Sequence, residues 1–321
     1  MPKLPARPVC LDGLRDAIFG HYERTAEDHR RPHLGCSVIG TECERALWYG
    51  FRWVQDPEHP GRILALFQRG HREEERLIID LRAIGVEVED IDPQTGEQYR
   101  MSAVGGHFGG SCDGIIKLGV PGIDLLRAVF EAKTSNDKAF KKLEKEGVRL
   151  AKPEHYAQVV VYMEAFQCAA AVYVSVNKND DQIHAEKVEP NPEFAAQLLE
   201  KASRVIFAQT PPPRLSDDPS WWKCRFCSFR PVCHQQETDR LERNCRSCLS
   251  STAEPDGTWS CAHLKRTLSV DEQKQGCSDH LFIPDLLPWE QTDAHEEHRF
   301  VDYLDENSEQ VRDRGGEFIR W

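Results

Sequence analysis

Asp113 stands in GGSCDGII, followed by a glycine and a β-branched run, while Glu131 and Lys133 close an apolar segment in AVFEAKT. Residues two apart on a strand point to the same side, so Glu131 and Lys133 address one site. Gln158 and Tyr162 lie one helical turn apart on one face, and His71 and Glu74 are likewise one turn apart in an earlier segment. Together these supply what divalent-metal phosphodiester hydrolysis needs. Hard oxygen ligands hold Mg²⁺ or Mn²⁺. The cation activates a water and neutralises phosphate charge, and a neighbouring lysine steadies the negative charge that develops. Each piece alone says little, since a single Glu-x-Lys is usually a solvated strand face and an Asp-Gly usually a turn. The order and spacing of the whole set carry the reading.

The elements that must position these residues follow from periodicity. Residues 11–27 and 61–84 read as helices, the second with Leu64, Phe67, His71, Glu74, Leu77 and Leu81 at helical spacing. Short strands are expected around 86–91, 97–102, 112–118 and 127–133. A helix with a basic face is expected at 136–147. His155, Gln158, Val159, Tyr162 and Phe166, three or four apart, place another over 154–167. Strands at 169–176 and 182–189 and a helix at 192–209 complete an α/β core flanked by helices. Pro211-Pro212-Pro213 then breaks the pattern, because no helix passes through three prolines.

This succession resembles the PD-(D/E)XK nuclease superfamily: a helix with Gly70-His71 and Glu74, then Asp113, then Glu131-Ala132-Lys133, then Gln158-x-x-x-Tyr162. It is most similar to the RecB-like branch, which includes the RecB and AddB nuclease domains, the CRISPR-associated RecB-like exonucleases and many phage exonucleases. The resemblance spans roughly residues 35 to 235. It implies a restriction-endonuclease-like core, a mixed central sheet flanked by helices. It also implies that Asp113, Glu131 and the Ala132 carbonyl hold Mg²⁺ or Mn²⁺, with His71 as a further ligand and Lys133 as the catalytic lysine. Gln158 and Tyr162 would position that lysine or the DNA backbone. Glu74 and Glu75 both qualify as the helical acid, and periodicity from His71 favours Glu74.

The chain has twelve cysteines. Its first twenty residues, MPKLPARPVCLDGLRDAIFG, lack the apolar stretch of a secretory leader, so the thiols are expected in a reducing cytoplasm, bacterial or phage-infected. Clustered cysteines there bind metal more often than they pair. Cys224, Cys227 and Cys233 in WWKCRFCSFRPVC have ligand spacing and need a fourth partner, and spacing alone does not separate zinc from iron–sulfur. The resemblance implies a [4Fe–4S] cluster with one upstream cysteine. Cys43 in TECERALWYGFR is preferred over Cys36, because Cys-x-Arg before an aromatic helix fits the family pattern better. The second set is Cys245, Cys248, Cys261 and Cys277, with His263 and His280 as substitutes. It has enough ligands for a closed tetrahedral Zn²⁺ site in a zinc-ribbon-like module folded by its metal. Cys10, Cys36, Cys112 and Cys168 are expected to be buried small hydrophobes.

Hydrophobic residues make up 40% and charged residues 29%, as in a globular protein, and no run reaches the ~18 apolar residues of a membrane span. The net charge of −12 excludes a nonspecific polycation but not a nucleic-acid enzyme. Residues 241–321 hold 17 acids against 9 Lys and Arg, so the chain divides into a nuclease domain at 1–240 and an acidic, Cys-rich module and tail at 241–321. Between 133 and 152 seven basic residues face three acids, making Lys138, Lys141, Lys142 and Lys145 a candidate track for a DNA backbone. Trp221, Trp222 and Phe226 either stack bases or cover the first cysteine set. The expected activity is Mg²⁺/Mn²⁺-dependent DNA hydrolysis, exonucleolytic, in recombination, repair or phage DNA processing. The substrate would be single strands or duplex ends, and a recombination or helicase protein a partner. The rivals are a non-catalytic DNA-binding adaptor on a nuclease fold, which an intact Asp-Glu-Lys set disfavours, and a structure-specific endonuclease or nickase.

Overall fold

The computed structural model describes residues 10–26, 28, 30–55, 59–124 and 127–321. In chain order the elements are α1 (Asp12–Arg24), β1 (Leu34–Gly35), α2 (Glu44–Phe51), α3 (Gly61–Ala83), β2 (Glu87–Glu89), β3 (Arg100–Ala103), β4 (Phe108–Ser111), β5 (Gly114–Leu118) and β6 (Ala128–Ser135). There follow α4 (Asp137–Ala151), α5 (Pro153–Ala165), β7 (Ala170–Asn177), β8 (Ile183–Val188) and α6 (Pro192–Phe207). Local chemistry sets the boundaries. The Asn136 side chain accepts from the Ala139 amide to start α4, Pro153 opens α5, and Asn191 caps α6 through Phe194.

The central sheet has the order β2-β5-β6-β7-β8. β6 and β7 run parallel, joined by the α4–α5 crossover, and the other pairs are antiparallel. Alternation splits the strands between two cores. Ala128, Phe130, Val172 and Val174 face Leu77 and Ile78 of α3. Val129, Ala171 and Tyr173 join the larger core with Val159, Val160 and Met163 of α5 and Leu198 and Val205 of α6. Glu131 and Lys133 share the parity of Val129, so they lie on the α5 side. A smaller sheet, β1-β4-β3, brings the strand before Asp113 alongside.

Beyond α6 come α7 (Trp222–Arg225), α8 (Arg230–Cys233), β9 (Ser251–Ala253), β10 (Trp259–Cys261), β11 (Arg266–Leu268) and α9 (Val270–Gln275). The chain ends in β12 (Glu290–His295), β13 (Phe300–Leu304), β14 (Gln310–Arg314) and β15 (Glu317–Arg320). β9–β11 form a three-stranded sheet, and the acidic tail is a four-stranded antiparallel meander. Residues 241–321 supply buried Trp259, Leu268, Phe282, Ile283, Tyr303 and Val311 to the same core that holds α5 and α6.

Two fully buried arginines join that segment to the nuclease core. Arg246 lies over the Trp53 and Trp259 rings at 3.8 and 4.6 Å and donates to the carbonyls of Phe51 and Pro32. Arg52 lies over Trp48 and Trp259 at 5.0 and 5.3 Å and donates to the Arg246 carbonyl. Burial lowers the Arg52 guanidinium to about 10, and ring faces and carbonyls provide the compensation. Nearby, Gly105 and Gly257 interlock with positive φ. A Cβ on Gly257 would meet the Gly105 carbonyl at 2.0 Å, so only glycine fits.

Candidate active site and cysteine centres

The catalytic set assembles where β5 and β6 meet. Asp113 precedes β5, and its Oδ2 accepts the Ala132 amide at 2.7 Å, which ties the turn to β6. Glu131 is 0% exposed. One of its oxygens accepts from Lys133 Nζ, while the other, Oε2, is buried without a hydrogen-bond partner. Burial pushes Glu131 up to about 8, Asp113 adds repulsion, and Lys133 partly offsets both. Asp113 is also raised by burial, against the pull of Lys133, the Ala132 amide and His71. Burial would lower Lys133, but Glu131 and Asp113 outweigh it and hold the ammonium charged, with the side chain 25% exposed.

Glu74 reaches the same site from α3. Burial and Asp113 push it up to about 7, with Lys133 opposing. Glu75 is exposed, so the face predicted from His71 is the one that meets the site. His71 itself is 74% exposed, 4.0 Å from Glu74, at the mouth beside Asp113. Three repelling carboxylates around one lysine, one of them with an orphaned buried oxygen, are a donor set that fits a divalent cation.

Gln158 and Tyr162, expected to position the lysine or the DNA backbone, lie on the strand side of the Asp113 turn. Both are buried. Tyr162 donates to the Ser111 carbonyl at 2.8 Å, and Gln158 Nε2 lies 3.4 Å from the Tyr162 hydroxyl. They fix the backbone two residues before Asp113. Sequence reasoning missed a second pair. His155 Nδ1 lies 2.7 Å from the Tyr173 hydroxyl, and Tyr173 pairs in register with Glu131. Burial and the Lys133 charge lower His155 to about 3, so this imidazole beside the lysine is neutral. The signal was present: His155 is one turn before Gln158 on the same face.

The basic helix is α4. Lys138, Lys141, Lys142 and Lys145 are exposed on it, with Lys141 bonded to Asp137 and Lys142 3.7 Å from Glu146.

The cysteines gather in two cavities. One, of about 40 Å³, is lined by Cys43, Cys224, Cys227 and Cys233. Arg45, Arg214, Lys223, Arg230 and His234 surround them, with no carboxylate in the lining. Cys36 is elsewhere, buried with its sulfur 3.7 Å from that of Met101. The other cavity, of about 10 Å³, is lined by Cys245, Cys248, Cys261 and Cys277. Burial beside the other three thiols pushes Cys245 up to about 12. His263 and His280 also line it, but His280 Nε2 is 3.2 Å from Ser247 Oγ and His263 Nε2 is 3.3 Å from Asp279. Among the described residues no group of three or more Cys, His, Asp or Glu is already drawn into ligating geometry. Cys112 and Cys168 are buried as expected, whereas Cys10 is exposed, because α1 buries none of its residues. No described helix is long and apolar enough to cross a membrane.

A family model of the PD-(D/E)XK nuclease superfamily matches residues 47–234. The chain belongs to that superfamily. The match covers every residue of the nuclease site described above, from His71 to Tyr162. No curated protein matches the nuclease. Among solved structures it is similar to SSO0001, at 18% identity over 69% of this chain and 94% of that one, with a TM-score of 0.40. It is also similar to the alkaline exonuclease LHK-Exo from Laribacter hongkongensis, at 18% identity over 58% of this chain and 90% of that one, with a TM-score of 0.37. LHK-Exo in complex with dAMP gives 17% identity, 55% and 87% coverage and a TM-score of 0.36.

Proposed function

We propose that the nuclease is a DNA exonuclease of the RecB-like branch that uses Mg²⁺ or Mn²⁺. The observation that carries this is the buried Glu131, with one oxygen on Lys133 and the other unpartnered, facing Asp113 and Glu74. Asp113, Glu131, Glu74 and the Ala132 carbonyl would hold the cation, with His71 completing the set at the mouth. A cation there supplies Lewis-acid activation of water and charge neutralisation at the phosphate. Lys133, kept protonated by its two carboxylates, donates to the phosphate as negative charge builds. Tyr162 holds the Asp113 turn in place through Ser111. The exposed lysines of α4 would follow the DNA backbone.

The cysteine cavities suit two different groups. The larger, ringed by cations, complements the net negative charge of a thiolate-bound [4Fe–4S] cluster on Cys43, Cys224, Cys227 and Cys233. The smaller suits one Zn²⁺ on Cys245, Cys248, Cys261 and Cys277, with His280 engaged by Ser247 instead. Both would have a structural role, each cation or cluster relieving the repulsion among its clustered thiolates.

Anaerobic purification followed by iron, sulfide and zinc analysis tests the centres, with about four iron and one zinc per chain expected. Two zinc and no iron would remove the cluster assignment. Linear and covalently closed DNA compared with Mg²⁺ test the exonuclease reading. Linear DNA should be degraded and closed circles spared, and nicking of the circles would favour an endonuclease.

A further inference from the structure

We propose that α7 and Phe226, beside the four-cysteine cavity, form a docking platform for single-stranded DNA. Trp222 is 62% exposed and Phe226 80%, the latter the most exposed large hydrophobic side chain among the described residues. Neither covers the thiols. That work falls to Phe229, which lines the cavity and packs against Tyr49 with ring centroids 5.6 Å apart. The sequence left open whether these aromatics cap the cysteines or stack on a ligand, and their exposure selects the second.

Each exposed ring also carries a cation. Lys223 Nζ is 5.2 Å from the Trp222 ring centre and the Arg225 guanidinium 5.8 Å from that of Phe226. Lys223 also pairs with Glu42, which makes Arg225 the stronger phosphate contact. The adjacent cavity adds Arg45, Arg214 and Arg230, with Asp217 and Asp218 acting on its His234 and Cys224 from outside the lining. In a chain of net charge −12, Arg45, Arg214, Lys223, Arg225 and Arg230 here outnumber Glu42, Asp217 and Asp218. Exposed aromatic rings that each carry a cation over the ring match a polyanion whose bases are free to stack. A single strand offers such bases, whereas a duplex has already stacked its own. The proposal rests on the reading of the chain as a DNA nuclease and adds where the unpaired strand is held.

The test is fluorescence anisotropy of the full chain with labelled (dT)20 and with a duplex of the same length, without added divalent cation. Base–aromatic stacking contributes about 1–3 kcal/mol per base. The Trp222→Ala/Phe226→Ala double variant should therefore bind (dT)20 at least about 10-fold more weakly, with a much smaller loss for the duplex. Trp222→Phe/Phe226→Tyr should retain the affinity, which separates stacking from any folding defect. Arg225→Ala should reduce the salt dependence on the single strand by about 0.7 in log–log slope. Unchanged (dT)20 affinity in the double Ala variant overturns the platform, as does an equal loss for both DNAs, whatever else the patch binds. Lys133→Ala tests the nuclease reading separately. It should not cleave linear DNA with Mg²⁺, and cleavage by that variant would overturn the active site while leaving the platform standing.

Discussion

Cation binding to this nuclease should be strongly linked to pH. Glu131 is raised to about 8 and Glu74 to about 7, both by burial first and by Asp113 second. Below these values the native protein holds protons that a cation must displace, so affinity rises with pH. For a single displaced proton with a pKa of about 8, apparent affinity grows about 50-fold from pH 6 to pH 8. A second at about 7 adds roughly 10-fold. The three carboxylates titrate as a set, so the expected gain lies between about 10-fold and about 500-fold, or roughly 1.4 to 3.7 kcal/mol. The same protonation gives the cation-free protein a definite stability trend. A carboxyl raised on folding binds more protons in the native state, so stability falls as pH rises from the unfolded value of 4.5 towards 8. Saturating cation should reverse that trend. The assay is calorimetric titration with Mn²⁺ at pH 6, 7 and 8 in two buffers of different ionisation heat, which counts released protons directly. A half-saturation concentration that does not change across this range would refute the reasoning, and so would binding without proton release.

Asp313 is 0% exposed, accepts the Phe282 amide at 2.7 Å and has Oδ1 unpartnered; burial pushes it up to about 7 despite that amide and the Gly316 amide. Asp313→Asn should therefore stabilise the protein by about 1–3 kcal/mol at pH 8, an advantage lost below about pH 4 where the native and unfolded carboxyls are both protonated, as denaturant titration will show. Tyr162→Phe removes the donor to the Ser111 carbonyl and should cost about 1–2 kcal/mol of stability. It should also lower cleavage at least about 10-fold by loosening the Asp113 turn, and an unchanged single-turnover rate would contradict that positioning role. Cys277→Ser should release zinc and lower the melting temperature, whereas His280→Ala should retain zinc; equal loss in both would place the histidine among the ligands.

The candidate carboxylate–lysine cluster was legible because its signals are local. Glu131 and Lys133 share a strand face, and the helical spacing of α3 places Glu74 with His71 rather than Glu75. The strand pattern marks β5 to β8, but β4 falls in the gap between the strands expected at 97–102 and 112–118, since its glycines (FGGS) carry no alternation. What stayed hidden depends on partners far along the chain. Tyr162 bonds to a carbonyl 51 residues away, a contact no helical period reveals. The His155–Tyr173 pair exists only because the parallel β6–β7 register sets Tyr173 beside Glu131. Arg246 lies in a CxxC loop that composition assigns to a polar appendage, yet it is buried among Phe51, Trp53 and Trp259. The acid-rich end reads as a tail because its charges dominate, while the alternation in β13 and β14 buries Val301, Tyr303, Val311 and Asp313. The cysteine sets were legible from spacing and the preference for Cys43 over Cys36 from the resemblance, and Cys43 lines the cavity with Cys224, Cys227 and Cys233 while Cys36 lies elsewhere.

The most direct test of the site is Lys133→Ala assayed on linear DNA with Mg²⁺ and with Mn²⁺, alongside thermal denaturation of the same preparation. In the proposed reaction this lysine supplies charge to the reacting phosphate. Cleavage should fall at least about 100-fold, with unfolding still cooperative and the melting temperature lowered by the loss of the ion pair with Glu131. A stable variant that still cleaves DNA within a few-fold of the original rate would contradict the assignment of this carboxylate–lysine cluster as the nuclease site.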